Sequence, residues 1–290
     1  MRQLSAFMML GLACILWGSS FVMTKEAMLY MPAIDVIFWR SALAALWFLP
    51  WVIRGDRRAI SRTGWSFFVL IGFLTIPVTY VLQFVALHYI SAASAAILIG
   101  VEPLLIALMS FVVLGNRVGK SVWLSGVLAF AGVYCVFADQ VSWHQDFRGY
   151  AMVLLSTIVV AFWVVLTKKA LATYSPRFST ACVAVFGFLT FLPIIPWLSA
   201  SPLSFPWAAW GWILLLALTS SVLGQLFWNM GLKRVESSKA GIFLVLEPIA
   251  GVLLAYFYLQ EPAGVYLWLG LLLVALSIVV VTYPRKTKLN

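Results

Sequence analysis

The sequence predicts an all-α polytopic membrane protein, ten transmembrane helices in two five-helix repeats of inverted topology, residues 1–145 and 146–290. Three observations carry that prediction. The chain is 64% hydrophobic and only 10% charged, where a soluble chain is nearer half apolar and a quarter charged. Its basic residues gather in every second joint, and its second half repeats its first.

Apolar runs of the length that crosses a bilayer as a helix, about 20 residues, fall at 5–23, 34–53, 65–87, 91–114, 121–138, 149–171, 177–198, 207–232, 236–259 and 264–283. Helix is the economical choice there, because backbone groups in hydrocarbon must be satisfied within their own segment. Polar or Pro/Gly-containing joints such as 54–64 and 199–206 separate the runs and leave no stretch for a soluble domain. The first run follows Arg2, as a signal peptide's would, but no small-x-small cleavage site comes after it. It is expected to be retained.

Charge sets the orientation. With the N-terminus in the cytoplasm, sixteen of the 19 basic residues fall on the cytoplasmic side, from Arg2 through Arg54, Arg57, Arg58 and Arg62 to Arg285, Lys286 and Lys288. The other side holds Lys25 and Arg148, and Arg40 lies inside the second run. This is the positive-inside pattern; it requires an even number of spans with both termini cytoplasmic. A net charge of +10 therefore speaks for topology, and no nucleic-acid partner is expected. Cys14, Cys135 and Cys182 lie inside apolar runs and read as small core residues, with no disulfide framework.

The repeat is explicit. Residues 89–124 align with 234–269 at an offset of 145, placing Glu102-Pro103 on Glu247-Pro248, Leu114 on Leu259, Gly119 on Gly264 and Trp123 on Trp268. Earlier in each half, Thr24-Lys25 matches Thr167-Lys168 and Phe48-Leu49-Pro50 matches Phe191-Leu192-Pro193 at an offset of 143. Half the chain length as an offset means duplication. Five spans per copy is an odd number, so the second copy enters the membrane upside down, the architecture of many secondary transporters.

The segment LWGSSFV in span one, YISAASAAILIGVEPLLIALMSFVVLGN at 89–116 and the LEP and LQEP echo of the second half resemble the drug/metabolite transporter superfamily in its EamA-type branch of bacterial metabolite exporters. The resemblance covers the whole chain. It departs at Gly115-Asn116, where the family has Gly-Glu, and at Gln260-Glu261-Pro262 in the second half. What it implies is an inner-membrane exporter of a small metabolite, an amino acid or related compound, working by alternating access. Spans one, three, four, six, eight and nine would then line a central cavity.

The residues themselves nominate a site. Glu102 and Glu247 each lie 11 residues into a 24-residue run, at mid-membrane, where a charge costs on the order of 2.5–3.5 kcal/mol. The proline after each removes a donor and frees a carbonyl one turn earlier. A polar kink at equivalent places marks a discontinuous site, and such an acid suits proton exchange. The alternative is a helix-crossing device satisfied by neighbours, since both runs open with small residues such as Ser91, Ala95, Ser237 and Gly241. Arg40 sits about two turns into span two, and its counterpart at offset 143 is Val183. It reads first as structural, snorkelling to the outer interface or pairing with Asp35, and otherwise as a ligand for substrate.

Helical spacing puts Tyr80, Gln83, Phe84 and Leu87 on one face of span three, and Gln225, Trp228 and Asn229 on one face of span eight. Two amide-bearing faces at equivalent places suggest a shared polar cavity, with Trp17 and Phe162-Trp163 as candidate aromatic walls. Packing is the competing use of each aromatic. Trp51, Trp65, Trp197, Trp207 and Trp210 lie at run ends and read as interfacial anchors.

No enzyme constellation, metal set or cofactor motif is expected. His88 and His144 lie at outer ends, and no Gly-rich phosphate loop is present. The expected partners are the lipid bilayer and a small-molecule substrate, with protons as candidate coupling ion and a monomer or homodimer as the assembly. A carrier for lipophilic or cationic drugs is the alternative, since an acid among aromatics suits a cation.

Overall fold

A computed structural model describes residues 2–55, 60, 62–115, 119–140, 146–198, 204–260 and 264–282. Asn116, Arg117, His144, Glu261, Pro262 and the basic residues Arg57, Arg58, Arg285, Lys286 and Lys288 lie outside the described residues. Among the described residues every regular element is helical.

α1 (Arg2–Ala27) and α2 (Ala33–Arg54) are unbroken. α3 (Arg62–Phe73) continues through a π-helical stretch, Leu74–Tyr80, into α4 (Val81–Val85). α5 (Ala92–Leu98) is joined by a 3-10 turn, Ile99–Val101, to α6 (Glu102–Leu114). Then come α7 (Lys120–Gln140), α8 (Phe147–Thr173) and α9 (Pro176–Phe191). α10 (Trp207–Leu216) runs through a second π-helical stretch, Ala217–Gly224, into α11 (Gln225–Arg234). α12 (Ser237–Phe243), α13 (Leu246–Tyr258) and α14 (Val265–Thr282) are the last of the described helices.

Eight helical stretches among the described residues are long and apolar enough to cross a membrane, and Val265–Ser277 is a shorter apolar one. α7 occupies the place of the predicted fifth span. The outward faces are apolar, as in the stripe Leu4, Met8, Leu12 and Ile15 of α1, which is what a lipid-facing surface requires.

Helix neighbours come in exchanged sets. α1 lies on α13 as α8 lies on α6, while α2 packs on α9, α5 on α13 and α7 on α14. Small residues let these helices approach closely. A Cβ added at Gly18 would sit 2.3 Å from the Glu247 carbonyl oxygen, one at Gly72 2.5 Å from the Gly187 nitrogen, and one at Gly132 2.7 Å from the Gly270 carbonyl oxygen. Ser125 Oγ donates to the Ser277 carbonyl at 2.8 Å, tying α7 to α14.

Cys14 and Cys182 are buried, and all three cysteines are free. Of the expected anchors, Trp51, Trp197 and Trp207 are exposed. Trp65 and Trp210 instead pack inward, Trp65 against Phe186 with ring centroids 5.5 Å apart and Trp210 against Trp39 at 5.2 Å.

Candidate functional site

The two glutamates occupy the same local structure. In each copy a short helix gives way to a tight turn, and the glutamate falls in the first turn of the helix that follows. Proline just after it needs no donor at a helix start. The carbonyl that each proline was expected to free is not free, because the glutamate's own amide takes it: Glu102 N donates to Ile99 O, and Glu247 N to Leu244 O at 3.0 Å. The kink is thus a closed 3-10-type turn that aims an acid inward. Glu102 is 2% exposed and Glu247 7%. They line one cavity. Glu102 Oε1 has no hydrogen-bond partner among the described residues.

Arg40 lines the same cavity. It is fully buried, and its hydrogen bonds all end on two hydroxyls of the second π-helical stretch. Nε donates to Ser221 Oγ at 3.1 Å, and Nη2 donates to Ser220 Oγ at 2.9 Å and to Ser221 Oγ at 3.0 Å. The guanidinium carbon stands 4.7 Å from the ring centroid of Tyr80 and 5.0 Å from that of Phe84, within cation–π range. Nη1 is buried without a hydrogen-bond partner among the described residues. Both structural expectations for Arg40 are therefore corrected: it neither snorkels outward nor pairs with Asp35. The long side chain reaches inward because hydroxyls and ring faces await it there.

Tyr80, Gln83 and Phe84 line the cavity from the span-three side and Gln225 from the span-eight side, with Trp17 and Trp163 as aromatic walls. Trp17 Nε1 donates to the Ser220 carbonyl at 3.2 Å, and the Trp17 and Trp163 rings meet edge-on, centroids 6.4 Å apart. Trp163 Nε1 has no hydrogen-bond partner among the described residues. Three residues of the predicted faces stand outside this wall. Trp228 packs behind Trp17 at 5.3 Å, Asn229 Nδ2 donates to Thr180 Oγ1 at 2.8 Å, and Leu87 joins the apolar core. Each lies about a turn beyond the cavity: helical spacing fixes a face and leaves depth open.

Sequence reasoning missed Thr75, Thr79 and Ser220 in the wall and Ser221 behind Arg40. One signal was available, since Thr75 and Ser220 are themselves related by the offset of 145. Both sit in π-helical stretches, which occur often at functional sites. Thr75 and Thr79 hydroxyls bond back to Ile71 O and Leu74 O, each at 2.8 Å.

The cavity is tight. About 40 Å³ is open to a water-sized sphere, room for a few waters by the rule of roughly 10–15 Å³ each. Ligand pockets run to about 300–1,000 Å³, so the cavity in this conformation is well below that size.

Comparison with known proteins agrees with this architecture. The sequence profile of the EamA-like transporter family matches residues 4–138 and again residues 147–283. The chain is 26% identical to the uncharacterized transporter YyaM of Bacillus subtilis, across 96% of this chain and 93% of that protein. It is 28% identical to the biotin transporter of Escherichia coli K12, across 88% and 85%. A protein of known crystal structure superposes with a TM-score of 0.72 over 96% of both chains at 17% identity, a likeness of fold.

Proposed function

The chain belongs to the EamA-like transporter family, and from that premise we propose that it is a secondary carrier exporting an amino acid or related compound across a bacterial inner membrane by alternating access. The observation that carries the proposal is the buried cavity, walled by both halves of the chain, in which two acids and one guanidinium meet amides and indoles. A zwitterion matches that set, its ammonium group meeting Glu102 or Glu247. Trp17, Arg40, Tyr80, Gln83, Phe84, Trp163 and Gln225 would complete the path, with Trp228 and Asn229 supporting it from behind. Proton exchange on the acid pair is the proposed coupling reaction.

The architecture we propose is ten spans, with α7 and α14 crossing as a peripheral pair, in two inverted repeats over 1–145 and 146–290. Backbone irregularities that recur between the halves support it. The π-helical stretches 74–80 and 217–224 overlap at the 145-residue offset, as do the turns before Glu102 and Glu247. The left-handed residues ending α6 and α13, Gly115 at φ 69° and Gln260 at φ 54°, coincide at that offset. Both termini would lie in the cytoplasm.

Efflux from vesicles loaded with a panel of amino acids and biotin tests the reading. Glu102→Gln and Glu247→Gln are each expected to slow efflux and flatten its pH profile. Wild-type rates and pH profile in both folded variants contradict the acid-centred mechanism. The drug-carrier reading is disfavoured by Arg40, whose buried positive charge repels a cation sharing its cavity.

A further inference from the structure

We propose that Arg40 is the docking point for a carboxylate on the transported molecule, so that the protein selects organic acids, amino acids included, over the matching amines and amides. The proposal rests on the transport reading above and adds which end of the substrate meets which wall.

The argument is one of an uncompensated buried charge. A cation removed from water needs an anion or a dense set of hydrogen bonds. Arg40 is fully buried, yet its protein partners are two neutral hydroxyls and two ring faces. Among the described residues neither Glu102 nor Glu247 forms an ion pair with it. Arg40 and the two glutamates therefore share one cavity without pairing.

The orientation of the guanidinium is as telling as its charge. Ser221 Oγ accepts from both Nε and Nη2 and Ser220 Oγ from Nη2, which pins the plane of the group and uses those N–H bonds. Among the described residues both protons of Nη1 remain unpartnered on a residue that lines the cavity. Hydroxyls hold the group without spending its charge, as a binding site for an anion requires. A carboxylate accepts a charge-assisted N–H bond from Nη1 and supplies the missing negative charge; an amide offers a weaker neutral acceptor and an ammonium offers none. Trp163 Nε1, also unpartnered in the same wall, is a second donor for the anion.

Matched ligand sets test this on the purified full-length protein. For the leucine and phenylalanine side chains, the amino acid, its deaminated acid, its amide and its decarboxylated amine are compared by thermal stabilisation and by competition for efflux. The acids are expected to stabilise and compete at least about tenfold better than the amide or amine of the same side chain, the loss of one charge-assisted contact. Arg40→Gln is expected to erase that ratio and Arg40→Lys to restore part of it. Should Arg40→Gln not fold, the Ser220→Ala/Ser221→Ala variant is expected to shrink the ratio instead. Equal binding of acid and amide by the wild type overturns the proposal, as does an unchanged ratio in folded Arg40→Gln, or no response to any carboxylate. Binding of the deaminated acids alone upholds Arg40 as the anchor and overturns the amino-acid reading. Binding of the amines alone overturns both and favours the cation-carrier reading.

Discussion

The acids of the cavity and its arginine have different histories written in the chain. Glu102 and Glu247 are equivalent residues in equivalent turns, each heading a half-helix beside a proline. Arg40 has no such twin. Its counterpart is Val183, a buried residue on α9 that faces a smaller side pocket with Thr75 and Ser221. The bundle is thus duplicated in its backbone and lopsided in its charge. On the proposed carrier reading, a duplicated frame would serve two half-movements and the lone cation would orient the bound molecule.

Breaking the frame carries the largest expected effect. Gly18 packs onto α13 beside Glu247, where an added Cβ lies 2.3 Å from backbone oxygen. Backbone on that side leaves no flexible neighbour to yield, so Gly18→Leu is expected to abolish a monodisperse peak in size-exclusion chromatography. The arginine is expected to be more forgiving. Removing both hydroxyls with Ser220→Ala/Ser221→Ala deletes three hydrogen bonds to a charged group, each worth about 1.5–3 kcal/mol. Thermal unfolding should occur at clearly lower temperature, with folded protein retained.

Smaller changes sharpen the boundary of the site. Asn229→Ala removes the bond to Thr180 and is expected to lower stability by about 1 kcal/mol while leaving the KM for efflux unchanged. A raised KM would put Asn229 in the substrate's path after all. The least effect is a gain: Gln260 holds a left-handed conformation at φ 54° that its counterpart Gly115 adopts freely. Gln260→Gly relieves roughly 1 kcal/mol of backbone strain, less the bond from Gln260 Nε2 to the Phe257 carbonyl at 2.7 Å, and should raise the unfolding temperature slightly.

How much of this was legible in the sequence depends on how loudly a residue speaks against its surroundings. A glutamate in the middle of an apolar run is conspicuous, and a proline beside it at both copies doubles the signal. Arg40 was equally visible, but its direction was not, because a long side chain near a helix end reaches outward as easily as inward. Ser220 and Ser221 were quiet, since hydroxyls are common in membrane helices and usually bond to their own backbone. Trp228 and Asn229 share a helix face with Gln225 and still miss the cavity. Only three-dimensional packing revealed the 3-10-type turns that capture the carbonyls the prolines were expected to free.

The central claim is that the two glutamates face each other across one cavity between the halves. Glu102→Cys and Glu247→Cys, placed together in a chain with Cys14, Cys135 and Cys182 replaced by alanine, test it most directly. The account predicts that a short bifunctional thiol reagent links the pair within a single chain and arrests efflux. Two cysteines that resist linking and instead react with a lipid-soluble maleimide, as side chains turned toward the bilayer would, contradict it.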